Sequence, residues 1–461
     1  MNIVSSLILS IFLIGCSSIP YEESKVEIIS INQSIRDGGH EDETFNQFLL
    51  SNNFKQNEIP IKSWGVKEIL LAQYFFNYDI KAAKKSIDWI RENEKIALLK
   101  PESSLGIEIG KTDSNDELSK NIFGSGFNFT FERTNKRLIR HEIAFNETQY
   151  ALLSYEKKLW ESRTLLLKKV VEYAERQDFI KITKKELLLK HSILQMIKKR
   201  VSLGVSSQID FDRIALELKS INQNLISLQY QQANLKKEIA TSVGLSLEKF
   251  NLIPINVESV KELFNKASRN FLNGKKISEI QYKATTNSRD LRIFLADYAI
   301  AESELKYEIA KQYPDFNFSP AYTYDMGNYV WNIGIDMVLG SKNKNIIFIN
   351  KAKKLRSVKG SKVLAYQLKI INEAENLLGE FKHSLELKND NEKILETKNK
   401  LEKKLKKRFD NGILDRLELE LEIIKLNEFD RDYHEAYYNV IKKGLDAELI
   451  VQEPIFTEKF I

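Results

Sequence analysis

The stretch PDFNFSPAYTYD, residues 314–325, decides the fold because its side chains alternate between two kinds. One set is apolar or aromatic and comprises Phe316, Phe318, Pro320, Tyr322 and Tyr324; the set between them comprises Asn317, Ser319, Ala321, Thr323 and Asp325. Successive side chains of a β-strand point to opposite faces of its sheet. The stretch therefore predicts a strand with one aromatic face and one face of small or polar groups.

The chain also contains one pattern twice. The segment KRVSLGVSSQIDFDRIALEL begins at Lys199, and KRFDNGILDRLELELEIIKL begins at Lys407. An alignment of the two segments matches Gly204 with Gly412, an offset of 208 positions. A repeat of this length is too long for a solenoid unit, so it indicates a duplicated domain.

The same offset reveals the other predicted strands. It places YVWNIGIDMVLG, from Tyr329, over NIFGSGFNFTFE, from Asn121. The apolar rows are Phe123, Phe127, Phe129 and Phe131 in the first copy, and Tyr329, Trp331, Ile333, Ile335, Met337 and Leu339 in the second. The segment SLGIEIG, with Leu105, Ile107 and Ile109 on one face, is a weaker counterpart of the opening strand. Each copy is thus predicted to contribute two strands.

Very long helices are predicted to follow each pair of strands. In the first copy the helix should cover residues 135–202, because apolar residues recur every seven positions there, as in a coiled coil. These are Leu138, Phe145, Leu152, Leu159, Leu166, Tyr173, Ile180, Leu187, Leu194 and Val201. At 1.5 Å per residue such a helix is roughly 100 Å long. The second long helix, predicted at 345–410, has a less regular pattern.

Each long helix should end in a tight turn, called here the first tip (residues 200–207) and the second tip (residues 408–415). Gly204 and Gly412 lie where a helix would end in a left-handed cap. A shorter helix should begin directly afterwards, with Ser207 and Asp210 or Asp415 and Glu418 at N-cap and N3 spacing.

The composition favours helices and gives no sign of chemistry. The chain has 461 residues, 70 Lys and Arg, 64 Asp and Glu, 18 Gly and 7 Pro. Lys and Glu are interspersed, which is typical of solvated helix faces and not of a nucleic-acid surface. The histidines, His40, His141, His191, His383 and His434, lack metal-ligand spacing. No phosphate loop or nucleophile elbow is present, so we expect no enzyme activity, cofactor or metal.

The N-terminus reads MNIVSSLILSIFLIGCSSIP and contains an apolar run too short to span a bilayer. The run suits a secretory signal at residues 1–15. Its end, with Cys16 as the single cysteine, resembles a bacterial lipoprotein signal, which implies lipidation of Cys16. Ser17, and not Asp, follows Cys16, and in this respect the chain resembles lipoproteins that are sorted to the outer membrane. An uncleaved anchor or a buried Cys16 is the alternative.

Two interpretations of the strands remain open from the residues alone. The first is an ordinary antiparallel sheet whose apolar face packs on helices. The second places the aromatic face in lipid and the small, polar face toward a water-filled lumen. In lipid the backbone N–H and C=O groups at the edge of a sheet must be hydrogen-bonded, so the sheet must then close into a barrel. Four strands are too few for that. Three chains would supply twelve, so this interpretation demands a homo-oligomer.

These features together resemble the TolC-type outer-membrane efflux proteins, in particular their lipoprotein branch. The likeness covers roughly residues 69–451 and rests on the duplication, the paired R-x-x-x-G tips, the AKQYPDF entry into a strand, and Cys16. It implies a mainly α fold with a small β part. Duplicated α-helical hairpins would form an α-barrel, and four strands per chain would contribute to a trimeric 12-strand transmembrane β-barrel. The resemblance implies a passive exit duct in the outer membrane, extending into the periplasm.

The resemblance also implies partners and sites. Partners would be two further copies, a periplasmic adaptor protein, an inner-membrane efflux transporter or ABC exporter, and outer-membrane lipid. Glu418 matches an acidic ring that constricts the periplasmic end, and Asp210 is its first-copy counterpart. Phe409, Leu414 and Leu421 replace the family's other gate residues. The adaptor would dock at the tips, at Arg200, Gly204, Arg408 and Gly412. Helix capping by the carboxylates and helix termination by the glycines are the alternatives.

The expected organisation has six parts. Residues 1–15 are a signal, 16–64 an N-terminal equatorial segment, 65–244 the first repeat, 245–274 an equatorial linker, 275–450 the second repeat and 451–461 a tail. In this interpretation the lipid-facing residues are Phe123, Phe127, Phe129, Phe131, Phe316, Phe318, Tyr322, Tyr324, Trp331, Ile333 and Ile335. A lipid-anchored structural or adhesive coiled-coil protein is the alternative function.

Overall fold

The same order of helices and strands occurs twice along the chain. The computed structural model describes residues 19–23, 38–111, 121–262, 277–325 and 327–454. Cys16 and the expected signal at 1–15 lie outside the described residues. After the short helix α1 (Glu43–Ser51), the first repeat comprises α2 (Val66–Phe76), α3 (Tyr78–Ala97), β1 (Ser104–Lys111), β2 (Asn121–Phe131), α4 (Lys136–Ser202) and α5 (Gln208–Val243).

The second repeat follows a linker that contains the short helix α6 (Leu247–Phe250). It comprises α7 (Ile277–Asn287), α8 (Arg289–Ala310), β3 (Phe316–Asp325), β4 (Asn328–Met337), α9 (Lys342–Asp410) and α10 (Arg416–Val451). Helices α5 and α10 have 36 residues each and begin 208 positions apart, which confirms the offset read from the sequence. The long helices α4 and α9 have 67 and 69 residues.

Both long helices differ slightly from their predicted bounds. Helix α4 begins at Lys136 and not at 135, because Asn135 is left-handed, with φ of 52°. Helix α9 begins three residues before the predicted start, since nothing in the sequence after Ser341 interrupts a helix.

The heptad row predicted on α4 is buried in the middle of the helix but not near the sheet. Leu166 and Ile180 are buried, whereas Leu138 and Phe145 are exposed. Near the sheet, Ala144 and Thr148 are buried instead, because α4 turns a different face toward its neighbours there. The heptad row is therefore packed within the chain only along part of its length, and its end near the sheet is left exposed.

The strands form one antiparallel sheet in the order β1-β2-β3-β4. Strand β2 of the first repeat pairs with β3 of the second, for example Phe129 with Phe318. The β2–β3 ladder has a gap at Pro320, which has no backbone N–H to donate. Strands β1 and β4 each have one partner within the chain and hence one open edge.

The largest hydrophobic core lies around the middle of α4, far from the sheet. Trp64 and Phe250 stack there with ring centroids 5.2 Å apart, and Trp64 Nε1 donates a hydrogen bond to the Phe250 carbonyl over 3.1 Å. Leu166 and Val170 of α4 belong to the same cluster. The N-terminal segment and the linker between the repeats are thus packed together against the rod.

Candidate functional site

All four strands present their rows of alternating apolar residues on the same face of the sheet. Phe123 pairs with Tyr324, and Tyr322 pairs with Trp331, so the aromatic rows of neighbouring strands adjoin. The Tyr322 and Trp331 rings lie 4.5 Å apart. Helices of the chain do not cover this face, as the 80% exposure of the Trp331 side chain shows. The interpretation as a half-buried sheet packed on helices is therefore wrong for the single chain.

Every residue predicted to face lipid lies in these rows. Phe123, Phe127, Phe129, Phe131, Trp331, Ile333 and Ile335 are exposed, and Phe316, Phe318, Tyr322 and Tyr324 are half-buried among their neighbours in the central strand. Ser125 interrupts the row on β2, and Tyr322 lies opposite it.

The other face of the sheet carries small and polar groups. Thr130 donates a hydrogen bond to Asn317 over 2.8 Å across the junction of the repeats. At Gly126 an added Cβ would come within 3.0 Å of the Ala321 Cβ, so this position accepts no side chain without a shift. Ile122 and Val330 are apolar exceptions on this face.

An ion pair between a buried lysine and a half-buried aspartate joins the sheet to the helices. Lys136, at the start of α4, contacts Asp315 at 2.8 Å and donates to the Tyr313 carbonyl at 2.7 Å. The backbone N–H of Arg133 also donates to Asp315, at 2.9 Å. Asp315 belongs to the second repeat and Lys136 to the first, so the pair joins the repeats where the sheet ends. Sequence reasoning did not find it, because the partners are 179 positions apart.

The two tips have the same backbone geometry. Gly204 and Gly412 have φ of 72° and 70°, which confirms the predicted left-handed caps. The amide of Val205 donates to the Arg200 carbonyl at 2.8 Å, and that of Ile413 donates to the Arg408 carbonyl at 2.9 Å. This hydrogen bond closes a Schellman motif and explains the R-x-x-x-G spacing. No other atom lies within 4 Å of an added Cβ at either glycine, so conformation, and not crowding within the chain, requires glycine.

Asp210 and Glu418 both complete capping boxes. The Asp210 carboxylate accepts hydrogen bonds from the Ser207 hydroxyl at 2.8 Å and its backbone N–H at 3.3 Å. These bonds, the hydroxyl first, lower the pKa of Asp210. Glu418 accepts from the Asp415 N–H at 3.4 Å, and Asp415 accepts from the Glu418 N–H at 2.8 Å. Capping is therefore present at both positions.

One ion pair joins the two tips, and the repeat has no second copy of it at the corresponding positions. Arg200 Nη2 of the first tip lies 2.7 Å from Asp415 Oδ2 of the second. Hydrogen bonding from the backbone N–H of Glu418 is the main reason that the pKa of Asp415 is lowered, and Arg200 adds to the effect. The first tip has Ser207 at the corresponding N-cap, which carries no charge. Ile193 and Leu417 pack together just behind the pair.

Solved structures with the same architecture are known. The outer membrane protein VceC from Vibrio cholerae aligns over 85% of this chain and 96% of its own, with 12% identity and a TM-score of 0.67. The fold is that of an outer-membrane channel. The channel OprN aligns over 96% of this chain and 100% of its own, with 12% identity and a TM-score of 0.67. The open state of the Neisseria gonorrhoeae channel MtrE aligns over 95% and 98%, with 12% identity and a TM-score of 0.60. Neither a family model nor a curated protein sequence matches the chain.

The channel fold also contains a buried polar cluster that sequence reasoning missed. Asp178 of α4 accepts a hydrogen bond from Tyr438 of α10 at 2.7 Å and contacts Lys261 of the linker at 2.8 Å. Burial opposes ionisation of Asp178, but the bonds from Lys261 and Tyr438 lower its pKa below the usual value. His434 lies 3.5 Å from the same carboxylate, and burial lowers its pKa. The cluster ties both repeats and the linker together.

Within the described ranges, no group of His, Cys, Asp and Glu side chains is arranged to hold a metal ion. In those ranges, no helix is both long enough and apolar enough to cross a bilayer.

Proposed function

We propose that this chain is the outer-membrane exit duct of a tripartite efflux pump or a type I secretion system. The observation that carries the proposal is the exposed aromatic face of the sheet, at one end of helices about 100 Å long. Contiguous apolar surface of this kind is unfavourable in water and marks contact with a membrane or a partner. The opposite face, with its glycines and hydroxyls, suits the wall of a water-filled lumen.

The open edges of the sheet support a homotrimer. In lipid every backbone N–H and C=O needs a partner, so β4 of one copy would pair with β1 of the next. A barrel needs about eight strands to enclose even its own side chains. Three copies provide twelve strands, and the exposed Leu138 and Phe145 of α4 would then be available for contact between copies.

The gate of the proposed duct lies at the tips. Three copies of Glu418 or Asp210 would form an acidic ring that attracts cations. The carboxylates would serve the ring and the capping boxes together. The Arg200–Asp415 pair would hold the second hairpin against the first, so its loss would favour an open end.

The tips also suit docking of a periplasmic adaptor. Leu203, Val205, Ile209 and Ile413 are exposed apolar side chains beside Gly204 and Gly412. An adaptor hairpin would pack on these side chains, and an inner-membrane pump would supply the energy for transport.

The proposed division of the chain keeps the bounds 65–244 and 275–450 for the repeats, with equatorial segments at 16–64 and 245–274 and a tail at 451–461. Lipidation of Cys16 is part of the proposal and is tested by the mass of the N-terminal peptide.

The test is the state of the purified protein in detergent and in planar bilayers. A duct migrates as a trimer before heating, shows a strand signal beside its helix signal, and conducts ions as single channels. A lipid-anchored coiled-coil protein would give an all-helical monomer or dimer that does not conduct. A mature chain that is monomeric and soluble without detergent would overturn the proposal.

A further inference from the structure

The start of α9 has a charge distribution unlike the rest of the chain. Between Met337 and Asn372 there is no Asp or Glu, whereas nine cations occur. They are Lys342, Lys344, Lys351, Lys353, Lys354, Arg356, Lys359, Lys362 and Lys369. The corresponding part of the first repeat, residues 129–164, contains Glu132, Glu142, Glu147, Glu156 and Glu161 among its cations. The expectation of interspersed charge is therefore wrong for the first half of α9, whereas Lys and Glu are interspersed in the second half.

Most of these cations have no carboxylate beside them. Arg356 contacts Glu302 at 3.1 Å and Lys359 contacts Asp297 at 2.6 Å, and these pairs hold α9 against α8. Six lysines, Lys342, Lys344, Lys351, Lys353, Lys354 and Lys362, are exposed and make no ion pair with any described residue. Clustered like charges repel, so a segment of this kind favours an anionic partner.

The position of these exposed lysines in the fold indicates which anionic partner they would contact. Met337 pairs with Phe316 at the end of the sheet where the helices attach, and Lys342 follows five residues later. Between Lys344 and Lys351 the side chains of Ile346, Ile347 and Phe348 are exposed. Exposed apolar residues interleaved with lysines are typical of a segment at a membrane interface, where lysine stems lie along the apolar layer and the ammonium groups reach the headgroups.

We propose that the first turns of α9 bind anionic phospholipid headgroups in the leaflet on the helical side of the membrane. The inference rests on the proposed membrane function of the sheet. A lysine near an anionic surface contributes about fivefold in affinity, and the effect decays within a Debye length of about 8 Å. Lys342 and Lys344 therefore dominate, and Lys353 and Lys354, roughly 14 Å further along the helix, contribute less.

The experiment compares two double variants of the full-length channel in neutral detergent. Lys342→Gln/Lys344→Gln removes the proposed contacts. Lys403→Gln/Lys404→Gln, also two exposed lysines on α9, is the matched control near the second tip. Binding of fluorescent phosphatidylglycerol and phosphatidylcholine is titrated for each protein. We expect the first variant to bind phosphatidylglycerol about tenfold or more weakly, with phosphatidylcholine unchanged and the control like the wild type.

Three results would overturn the inference. The wild type could bind both lipids equally, or both double variants could lose the same affinity. The first variant could also keep its lipid binding and change the ion selectivity of the channel in neutral bilayers, which would place the lysines in the lumen. Failure of the wild type to insert into any bilayer, neutral lipid included, would contradict the proposed function itself. Insertion and conduction without a preference for phosphatidylglycerol would contradict only the headgroup site.

Discussion

The two repeats share a backbone and differ in the side chains attached to it. Their tips have the same Schellman motif and the same capping box, yet only the second places a charge at the N-cap, where Asp415 meets Arg200 of the first. Duplication therefore supplied the scaffold. Substitution at corresponding positions then made the two hairpins unequal, and the proposed gate needs such a difference if one hairpin is to move against the other.

The C-terminal ends of α5 and α10, called here the first and second junctions, also share a backbone conformation and differ in their side chains. Gly244 and Gln452 occupy corresponding positions, and both are left-handed, with φ of 93° and 52°. At Gly244 an added Cβ would lie 2.8 Å from backbone atoms of Phe76 and Asn77. At Gln452 there is room for a side chain, which accepts a hydrogen bond from the Arg289 amide at 2.6 Å. The first junction is closed by packing and the second by a polar contact.

The largest effect should come from Gly244→Ala. The left-handed conformation costs about 1–2 kcal/mol without glycine, and the contact with fixed backbone adds a comparable amount, so we expect a loss of about 3 kcal/mol. Gln452→Ala should lose about 1 kcal/mol, the value of one hydrogen bond. Thermal unfolding of both variants in detergent measures the difference. Equal losses would show that the two junctions are equivalent.

Next in size is the effect of a charge on the aromatic face. A charge at the bilayer midplane costs about 2–4 kcal/mol per copy for Arg or Lys and less for Asp. If Trp331 faces lipid, three copies of Trp331→Asp should therefore still block assembly of trimers in the membrane. Phe129→Asp should behave in the same way. Val330→Asp, on the same strand but the small, polar face, should insert normally. Membrane fractionation followed by unheated electrophoresis distinguishes the variants, and normal insertion of Trp331→Asp and Phe129→Asp would mean that the facing assignment is wrong.

A smaller effect on stability, with a clear effect on conductance, is expected at the tips. Asp415→Asn keeps an acceptor for the cap and removes the ion pair, which at an exposed site contributes under about 1 kcal/mol. Conductance should rise for Asp415→Asn and for Arg200→Ala, and the double variant should resemble either single one. Ser207→Ala, at the corresponding cap, should not change the conductance.

Glu418→Ala should alter the block of the channel by cations if the acidic ring is present. Unchanged ion selectivity would leave only the capping role of Glu418.

The smallest effect concerns pH. Burial lowers the pKa of His434, so below about 6.5 the unfolded chain binds more protons than the folded one, and stability falls as the pH falls. His434→Gln should reduce the loss of melting temperature between pH 7 and pH 5. His383→Gln, at an exposed position of α9, serves as the control. A pH dependence that is the same in His434→Gln and in the wild type would exclude His434 as its source.

The sequence was sufficient where the structure is periodic or repeated. Alternation over residues 316–325 predicted the two faces of β3, and the offset between Gly204 and Gly412 predicted both tips and the start of the helix after each. It was insufficient where distant residues meet. Asp178 and Tyr438 are 260 positions apart, and no local pattern marks either of them. Contacts of this kind depend on which helix faces adjoin after folding, and helical periodicity does not specify that.

Pro320 has a consequence for the wall of the proposed barrel. Near it the ladder between β2 and β3 is interrupted, and the Ser319 hydroxyl donates a hydrogen bond to the Asn128 side chain over 3.4 Å. The register between β2 and β3 therefore has a gap at this point, whereas the registers of the hairpins on either side are uninterrupted. If three copies close the sheet into the proposed barrel, a force that pulls neighbouring strands apart would meet least resistance at this gap, along the boundary between the two repeats.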